Sequence, residues 1–271
     1  MRHTTISFTK MEGLGNDYIY IDENRFPIDN PGELAVRLSD RHLGIGGDGI
    51  ILIGPSSVAD FRMRMFNADG SEGLMCGNGA RCVGKYLYDK HLTDKTTISL
   101  ETLSGVRTLK LHPGQDNKVQ SVTVEMGEYS LTGAPRVLNA CGREFCGTGL
   151  SVGNPHYVIF LDDADTLDIS LYGPGIENNP AFPERTNVEF AKVLSDNTIR
   201  MRVWERGSGI TLACGTGACA TAAAAVELGL VKDSCIVVMD GGSLAIDCDK
   251  AGRKLVLTGP ANTVFDGTVE I

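Results

Sequence analysis

Met75-Cys76-Gly77-Asn78-Gly79-Ala80-Arg81-Cys82 has a counterpart far along the chain, Ala213-Cys214-Gly215-Thr216-Gly217-Ala218-Cys219. Both stretches carry Cys-Gly-x-Gly-Ala and both open a long apolar run. The second leading cysteine stands 138 positions after the first, and other pairs keep that offset. Leu14-Gly15-Asn16-Asp17 answers Val152-Gly153-Asn154-Pro155, and Phe66-Asn67 answers Trp204-Glu205. Three features in one register, with no gap between them, mark one unit written twice, with a cysteine at the working end of each copy. Two copies are too few for a solenoid. They predict two similar lobes facing each other across a cleft.

Length agrees with that reading, since 271 residues fit two domains of ordinary size. The expected division is a first lobe over residues 1–120, with 264–271 returning to it, and a second over 121–263. Hydrophobic content of 42% and charged content of 22% suit a globular chain with a buried core. A net charge of −9 and the lack of any basic stripe argue against nucleic acid or anionic membrane as a partner. The first twenty residues hold no continuous apolar segment, and no run of 18 apolar residues occurs. The expectation is a cytoplasmic protein.

Eight cysteines in a reducing compartment point to catalysis or metal binding before disulfides. Their spacings, Cys76/Cys82, Cys141/Cys146, Cys214/Cys219 and Cys235/Cys248, include no Cys-x-x-Cys and no histidine at zinc-ligand distance, so no metal site is expected. Cys82, Cys141, Cys146, Cys219, Cys235 and Cys248 read as small buried hydrophobes.

Hydrophobic periodicity predicts strands over 5–10, 18–22, 50–53 and 61–66, a helix over 31–41 capped by Asn30, and a second helix from 79 to 90. Strands over 97–101, 106–112 and 119–125 follow. The second copy reads as a strand over 156–161, a weaker helix over 168–178, strands over 187–194 and 199–204, and a helix over 217–228. That last helix is apolar nearly all round and should be enclosed. Strands over 236–239, 244–247, 255–257 and 268–271 close the chain. The class is mixed α/β, with too many adjacent strands for a doubly wound parallel fold.

A cysteine just before a helix lies beside unpaired backbone N–H groups, and glycines let a ligand approach that backbone closely. The helix terminus favours an anion by roughly 0.3–1 kcal/mol, which lowers a thiol by up to about a unit, while burial opposes it. A thiol balanced in this way can serve as base or as acid. Two such thiols on opposite sides of one carbon beside a bound carboxylate would invert a stereocentre. A single base would return the proton to the side it left. No pyridoxal lysine motif, dinucleotide glycine fingerprint or metal cluster stands out, so the carbanion would rely on oriented amides in a dry site. A pair of tight glycine turns around core cysteines is the plainer alternative.

The motifs together resemble the diaminopimelate epimerase family. They are Met11-Glu12-Gly13-Leu14-Gly15-Asn16-Asp17, the loop from Arg41-His42 to Asp48-Gly49, Phe66-Asn67-Ala68-Asp69-Gly70-Ser71 and the two Cys-Gly-x-Gly-Ala stretches. Gly153-Asn154-Pro155-His156, Thr186-Asn187-Val188-Glu189 and Trp204-Glu205-Arg206-Gly207 complete the set. The resemblance covers essentially the whole chain. It implies two pseudo-symmetric lobes, each with strands wrapped around a central helix, and an active site in the cleft between them. It implies a cofactor-independent isomerase of lysine and peptidoglycan biosynthesis that interconverts LL- and meso-2,6-diaminopimelate by a two-base thiol/thiolate mechanism. Cys76 and Cys214 would then be the acid/base pair. Asn16, Asn67, Asn154, Asn187, Glu205 and Arg206 would bind substrate, and the backbone amides of Gly77, Asn78, Gly215 and Thr216 would hold the reacting carboxylate. The implied partner is the small-molecule substrate, with no nucleic acid and no membrane, and a homodimer is left open. Some members carry Gln where this chain has Gly49, and Tyr18 stands where Phe is common.

The residues themselves add that only the second copy has a charged pair. Arg206 suits a carboxylate and Glu205 an ammonium, which would fix the distal end of a substrate with two amino-acid groups. His156 reads as a core or supporting group. Competing readings are a proline racemase or hydroxyproline epimerase, a phenazine-type isomerase (which lacks the cysteine pair), a thiol redox sensor and a non-catalytic amino-acid binder.

Overall fold

The computed structural model describes residues 5–195 and 197–271. Backbone proximity divides the chain into two compact units, Met1–Val124 with Gly259–Ile271, and Glu125–Thr258. In chain order the first half supplies β1 (Thr5–Gly13), β2 (Asn16–Asp22), α1 (Pro31–Ser39), β3 (Gly49–Gly54), β4 (Phe61–Asn67), β5 (Glu72–Gly73), α2 (Gly77–Asp89), β6 (Thr97–Thr102), β7 (Gly105–Pro113) and β8 (Val119–Glu128). The remainder supplies β9 (Ser130–Leu131), β10 (Arg136–Ala140), β11 (Arg143–Ser151), β12 (Pro155–Phe160), α3 (Ile169–Glu177), β13 (Asn187–Ser195), β14 (Thr198–Glu205) and β15 (Gly209–Thr211). After α4 (Gly215–Glu227) come β16 (Ser234–Met239), β17 (Gly242–Asp249), β18 (Lys254–Pro260) and β19 (Asn262–Glu270).

In the first unit β1 pairs antiparallel with β2 and with β19, β2 runs parallel to β3, and β3 antiparallel to β4. β4 continues parallel to β6, which leads antiparallel into β7 and β8. The fully buried run of Ile50, Ile51, Leu52 and Ile53 puts β3 inside on both faces, as expected for a strand flanked by packed layers. α2 packs on β1, β2, β7 and β19, burying Ala80, Cys82, Val83 and Leu87.

The second unit repeats the order. β11 pairs antiparallel with β10 and β12, β12 runs parallel to β13, and β13 antiparallel to β14. β14 then runs parallel to β16, and β17 and β18 follow antiparallel. α4 touches β11, β12, β13, β14, β16 and β17, and its alanines 222–225 are all fully buried. Small side chains let strands approach the helix on every side, so packing holds an apolar helix that solvent would not.

The 138-residue register holds in the pairing itself. Tyr18 faces Gly49 and His156 faces Asn187, while Ile50 faces Phe66 and Val188 faces Trp204. α1 and α3 correspond end to end, as do α2 and α4.

Several expectations are corrected. The sequence shows no strands over 136–151, yet β10 and β11 lie there, and β11 is the counterpart of β1. Gly147 and Gly149 mask β11 locally. A Cβ at Gly147 would fall 2.5 Å from Cζ of Tyr157, so glycine is there for a neighbouring ring rather than for a turn. Both cysteine helices begin two residues early, at Gly77 and Gly215, because each cysteine is itself the N-cap. Asn30 occupies the cap position of α1 without a side-chain cap bond, and α1 ends at Ser39, where the Asp40 carboxylate takes the amides of His42 and Leu43. The last strand spans Asn262–Glu270 rather than 268–271.

Candidate active site

Cys76 and Cys214 have nearly the same backbone, φ −122° and ψ 123° against φ −124° and ψ 113°. Each sulfur accepts the amide three residues on, Gly79 N at 3.5 Å and Gly217 N at 3.3 Å. Both thiols therefore cap a helix N-terminus, where free amides and the helix dipole favour negative charge. A Cβ at Gly79 would meet Cδ1 of Ile51 at 2.7 Å, and one at Gly217 would meet Oε1 of Glu189 at 2.9 Å. The helix starts are pressed onto the strands beneath them, against a flexible side-chain end at Gly79 and a buried carboxylate at Gly217.

In the first unit the Cys76 thiol donates to Oδ1 of Asn16 at 3.2 Å. Asn16 donates in turn to Oδ2 of Asp48 at 2.7 Å, and that oxygen also accepts the Asp17 amide. Arg41 bridges the two acids, 2.7 Å from Asp17 and 3.0 Å from Asp48, and buried Lys10 lies 2.6 Å from Asp17. Burial pushes the Asp17 carboxyl up, but Arg41 and Lys10 together bring it below its ordinary value. Asn67 donates to Oγ of Ser71 within its turn. Asn78 is buried against Gly13, so its backbone amide alone is suited to a ligand. Gly49 has no room for Gln: a Cβ there would fall 2.0 Å from the Phe66 carbonyl oxygen.

In the second unit Asn154 donates to Oγ1 of Thr216 at 3.4 Å, and that hydroxyl lies 3.5 Å from the Cys214 sulfur. His156, 1% exposed, bonds Oδ1 of Asn154 through Nε2 at 3.0 Å and Oε1 of Glu189 through Nδ1 at 2.6 Å. Glu205 accepts from Thr211 Oγ1. Asn187 uses both ends of its amide on backbone, donating to the Pro155 carbonyl and accepting the Arg206 amide. The Arg206 guanidinium donates to the Glu184 carbonyl. Beneath this corner Glu177 accepts from Trp204 Nε1 at 2.7 Å, from Gly207 N at 3.0 Å and from Arg185 at 3.1 Å.

Burial drives the Cys214 thiol well above its ordinary value, and the Glu205 and Glu189 carboxylates push it further. Burial also raises Glu205. A helix N-terminus returns at most about 2 kcal/mol to a thiolate, while deep burial can move a group by up to about 3–5 pK units. Burial outweighs the helix terminus and holds the Cys214 thiol up.

The structure thus gathers Cys76, Asn16, Gly77 and Asn78 in the first unit. In the second it gathers Cys214, Asn154, Gly215, Thr216 and Glu205, with Asn187 holding the turn of Arg206. Asp48, Thr211, Glu177 and Glu189 were missed. Glu189 left a signal in the sequence, a carboxylate between the apolar Val188 and Phe190, whereas Glu177 and Thr211 act through contacts that no local pattern shows. Among the described residues no group of three or more His, Cys, Asp or Glu side chains is arranged to hold a metal ion.

Comparison with known proteins follows the same lines. A family model described as diaminopimelate epimerase matches residues 8–132 and 146–264. The diaminopimelate epimerase of Phocaeicola vulgatus is 52% identical over 279 residues, covering 99% of this chain and 99% of that one. That of Bacteroides thetaiotaomicron is 54% identical over 267 residues, covering 98% and 99%. Among solved structures, a PhzF-family phenazine biosynthesis protein from Bacillus anthracis superposes with a TM-score of 0.75 at 16% identity, over 99% of this chain and 100% of that one. A hydroxyproline epimerase from Agrobacterium vitis gives 0.68 at 18%, over 98% and 93%. At these identities the structural matches speak for the fold.

Proposed function

The chain belongs to the diaminopimelate epimerase family, and from that premise we propose that Cys76 and Cys214 are the acid/base pair of its reaction. The activity itself is the isomerisation of LL- and meso-diaminopimelate, a step of lysine biosynthesis. What supports the cysteine assignment is their equivalence: two thiols in one backbone conformation, each capping a helix through a glycine amide.

Inversion needs a base on one face of the α-carbon and an acid on the other. A thiol at Cys214 is fit to donate, and a thiolate at Cys76 would remove the proton in the same direction. The roles exchange in the reverse reaction. Amides of Gly77, Asn78, Gly215 and Thr216 at the two helix starts would hold the α-carboxylate and the charge that develops on it. Asn16, Asn67, Asn154 and Asn187 would position the substrate, and Glu205 and Arg206 would take the ammonium and carboxylate of the distal end. A fixed distal end selects which of two chemically alike centres reacts. A cytoplasmic location is part of the same proposal, since the two cysteines must stay reduced to work.

Cys76→Ser and Cys214→Ser, made separately, test the assignment in heavy water. Each should lower inversion by about 10²–10⁴-fold, the span of a lost acid or base, while substrate binding measured by calorimetry persists. Either variant inverting at the parent rate would remove that cysteine from the mechanism.

A further inference from the structure

The two units differ at one buried place where their registers coincide. Beneath the first turn of α2 lies Ile51, and beside it on the neighbouring strand the position facing Gly49 is Tyr18. At the corresponding positions of the second unit stand Glu189, under the first turn of α4, and His156, facing Asn187. An isoleucine–tyrosine pair in one copy is a carboxylate–imidazole pair in the other, and both members of the latter have side chains 0% exposed. Burying such a pair is costly, and the same backbone positions elsewhere in the chain hold a pair without a carboxylate.

The bonds say what the pair holds. Asn154 gives its amide nitrogen to Thr216, so its oxygen accepts from His156 Nε2–H. The other ring nitrogen, Nδ1, lies 2.6 Å from Oε1 of Glu189. Oε2 of Glu189 has no hydrogen-bond partner among the described residues. A continuous chain therefore runs from Glu189 through His156, Asn154 and Thr216 to the Cys214 sulfur. The Glu189 carboxylate also reaches the helix start directly, close enough to Gly217 to exclude a Cβ.

We propose that Glu189 is a positioning residue for epimerisation: it fixes the His156 ring so that Asn154 and Thr216 are oriented toward Cys214, and its carboxylate beneath α4 keeps Cys214 a proton donor at rest. Burial raises the Glu189 carboxyl and the His156 ring opposes that rise; in its ionised form the carboxylate opposes the pull of the helix terminus on the thiol, which the apolar Ile51 beneath α2 does not do. Glu189 is among the groups that push the Cys214 thiol up, after burial and Glu205.

Among the described residues, two carboxylates act on Cys214. β14 brings Glu205, β13 brings Glu189, and β12 brings His156 behind it. β16 and β17, which also pack on α4, carry the buried thiols Cys235 and Cys248, both raised by burial. Arg143, Glu144 and Cys146 of β11 are half-buried or exposed.

This inference rests on Cys214 being one of the two acid/base groups, and the test separates the two claims. Thiolate absorbance is titrated in the full-length Glu189→Gln protein and in the same variant carrying Cys214→Ala, and the difference isolates Cys214. The parallel pair without the Glu189 change gives the reference. The Cys214 titration should fall by about one pH unit, with kcat down about tenfold and KM within about twofold, the signature of a group that does not bind substrate. A Cys214 titration that superposes on the reference overturns the proposal. A shifted titration with unchanged kcat retains the electrostatic role but removes Cys214 from the chemistry. Should Glu189→Gln fail to fold, the paired change Glu189→Ile with His156→Tyr copies the first unit and is read in the same way: the titration must again fall, and a fixed one is fatal.

Discussion

The Asp48 carboxylate decides which end of the Asn16 amide meets Cys76. With Nδ2 committed to Asp48 at 2.7 Å, only Oδ1 is left for the sulfur, at 3.2 Å. Asp48→Asn removes the fixed acceptor and lets the amide turn over. We expect kcat to fall by about tenfold, and Asp48→Ala to do no better, because the interaction is one of orientation. Parent-level kcat in both variants would show that Asn16 needs no support.

Glu177 stands to the Arg206 corner as Asp48 stands to Asn16. It takes Trp204 Nε1, Gly207 N and Arg185 at once. Glu177→Ala removes three part-buried hydrogen bonds, at about 0.5–1.5 kcal/mol each. Denaturant midpoints should fall accordingly, and KM for diaminopimelate should rise more than kcat drops.

The two helix-start glycines should respond unequally to a methyl group. At Gly79 the obstacle is the end of the Ile51 side chain, which can rotate. At Gly217 it is a buried carboxylate held by His156. Alanine gains about 1 kcal/mol of helix propensity at either position, against about 1–3 kcal/mol for overpacking. Urea unfolding should therefore show Gly217→Ala clearly destabilised and Gly79→Ala close to neutral.

Acid stability should report the Asp17 cluster. Arg41 and Lys10 outweigh burial and lower this carboxyl in the folded chain, while the unfolded value is about 3.9. A depressed folded value adds stability above about pH 3.9 that is lost as pH falls toward the lower folded one. In Asp17→Asn the unfolding free energy should fall less steeply with acid over that window. Parallel slopes in both proteins would place the acid sensitivity elsewhere.

How legible the molecule is from its sequence depends on whether a feature is periodic or relational. Cys76 and Cys214 are legible because repetition at a fixed offset carries information that a single glycine turn lacks. The strand β3 announces itself by four apolar residues in a row. β11 does not, since its glycines answer to Tyr157 and Thr132, residues outside the strand. His156 reads as a supporting group, but its partner Glu189 lies 33 positions away on a strand chosen by tertiary pairing. Glu177 is the same case: α3 shows a helix end, and only the fold brings Trp204 onto it.

Strand β19, paired with β1 from Thr5 to Glu12, has a bearing on biogenesis. Residues 125–258 are contiguous, so that half has all its pieces once its own segment has left the ribosome. The amino-terminal half emerges first, and its opening strand pairs with β2 at once, but the other edge of that strand waits for residues 262–270. Synthesis order and completion order are thus reversed, and a nascent chain halted before residue 262 would carry an unsealed edge along β1 for chaperones to guard.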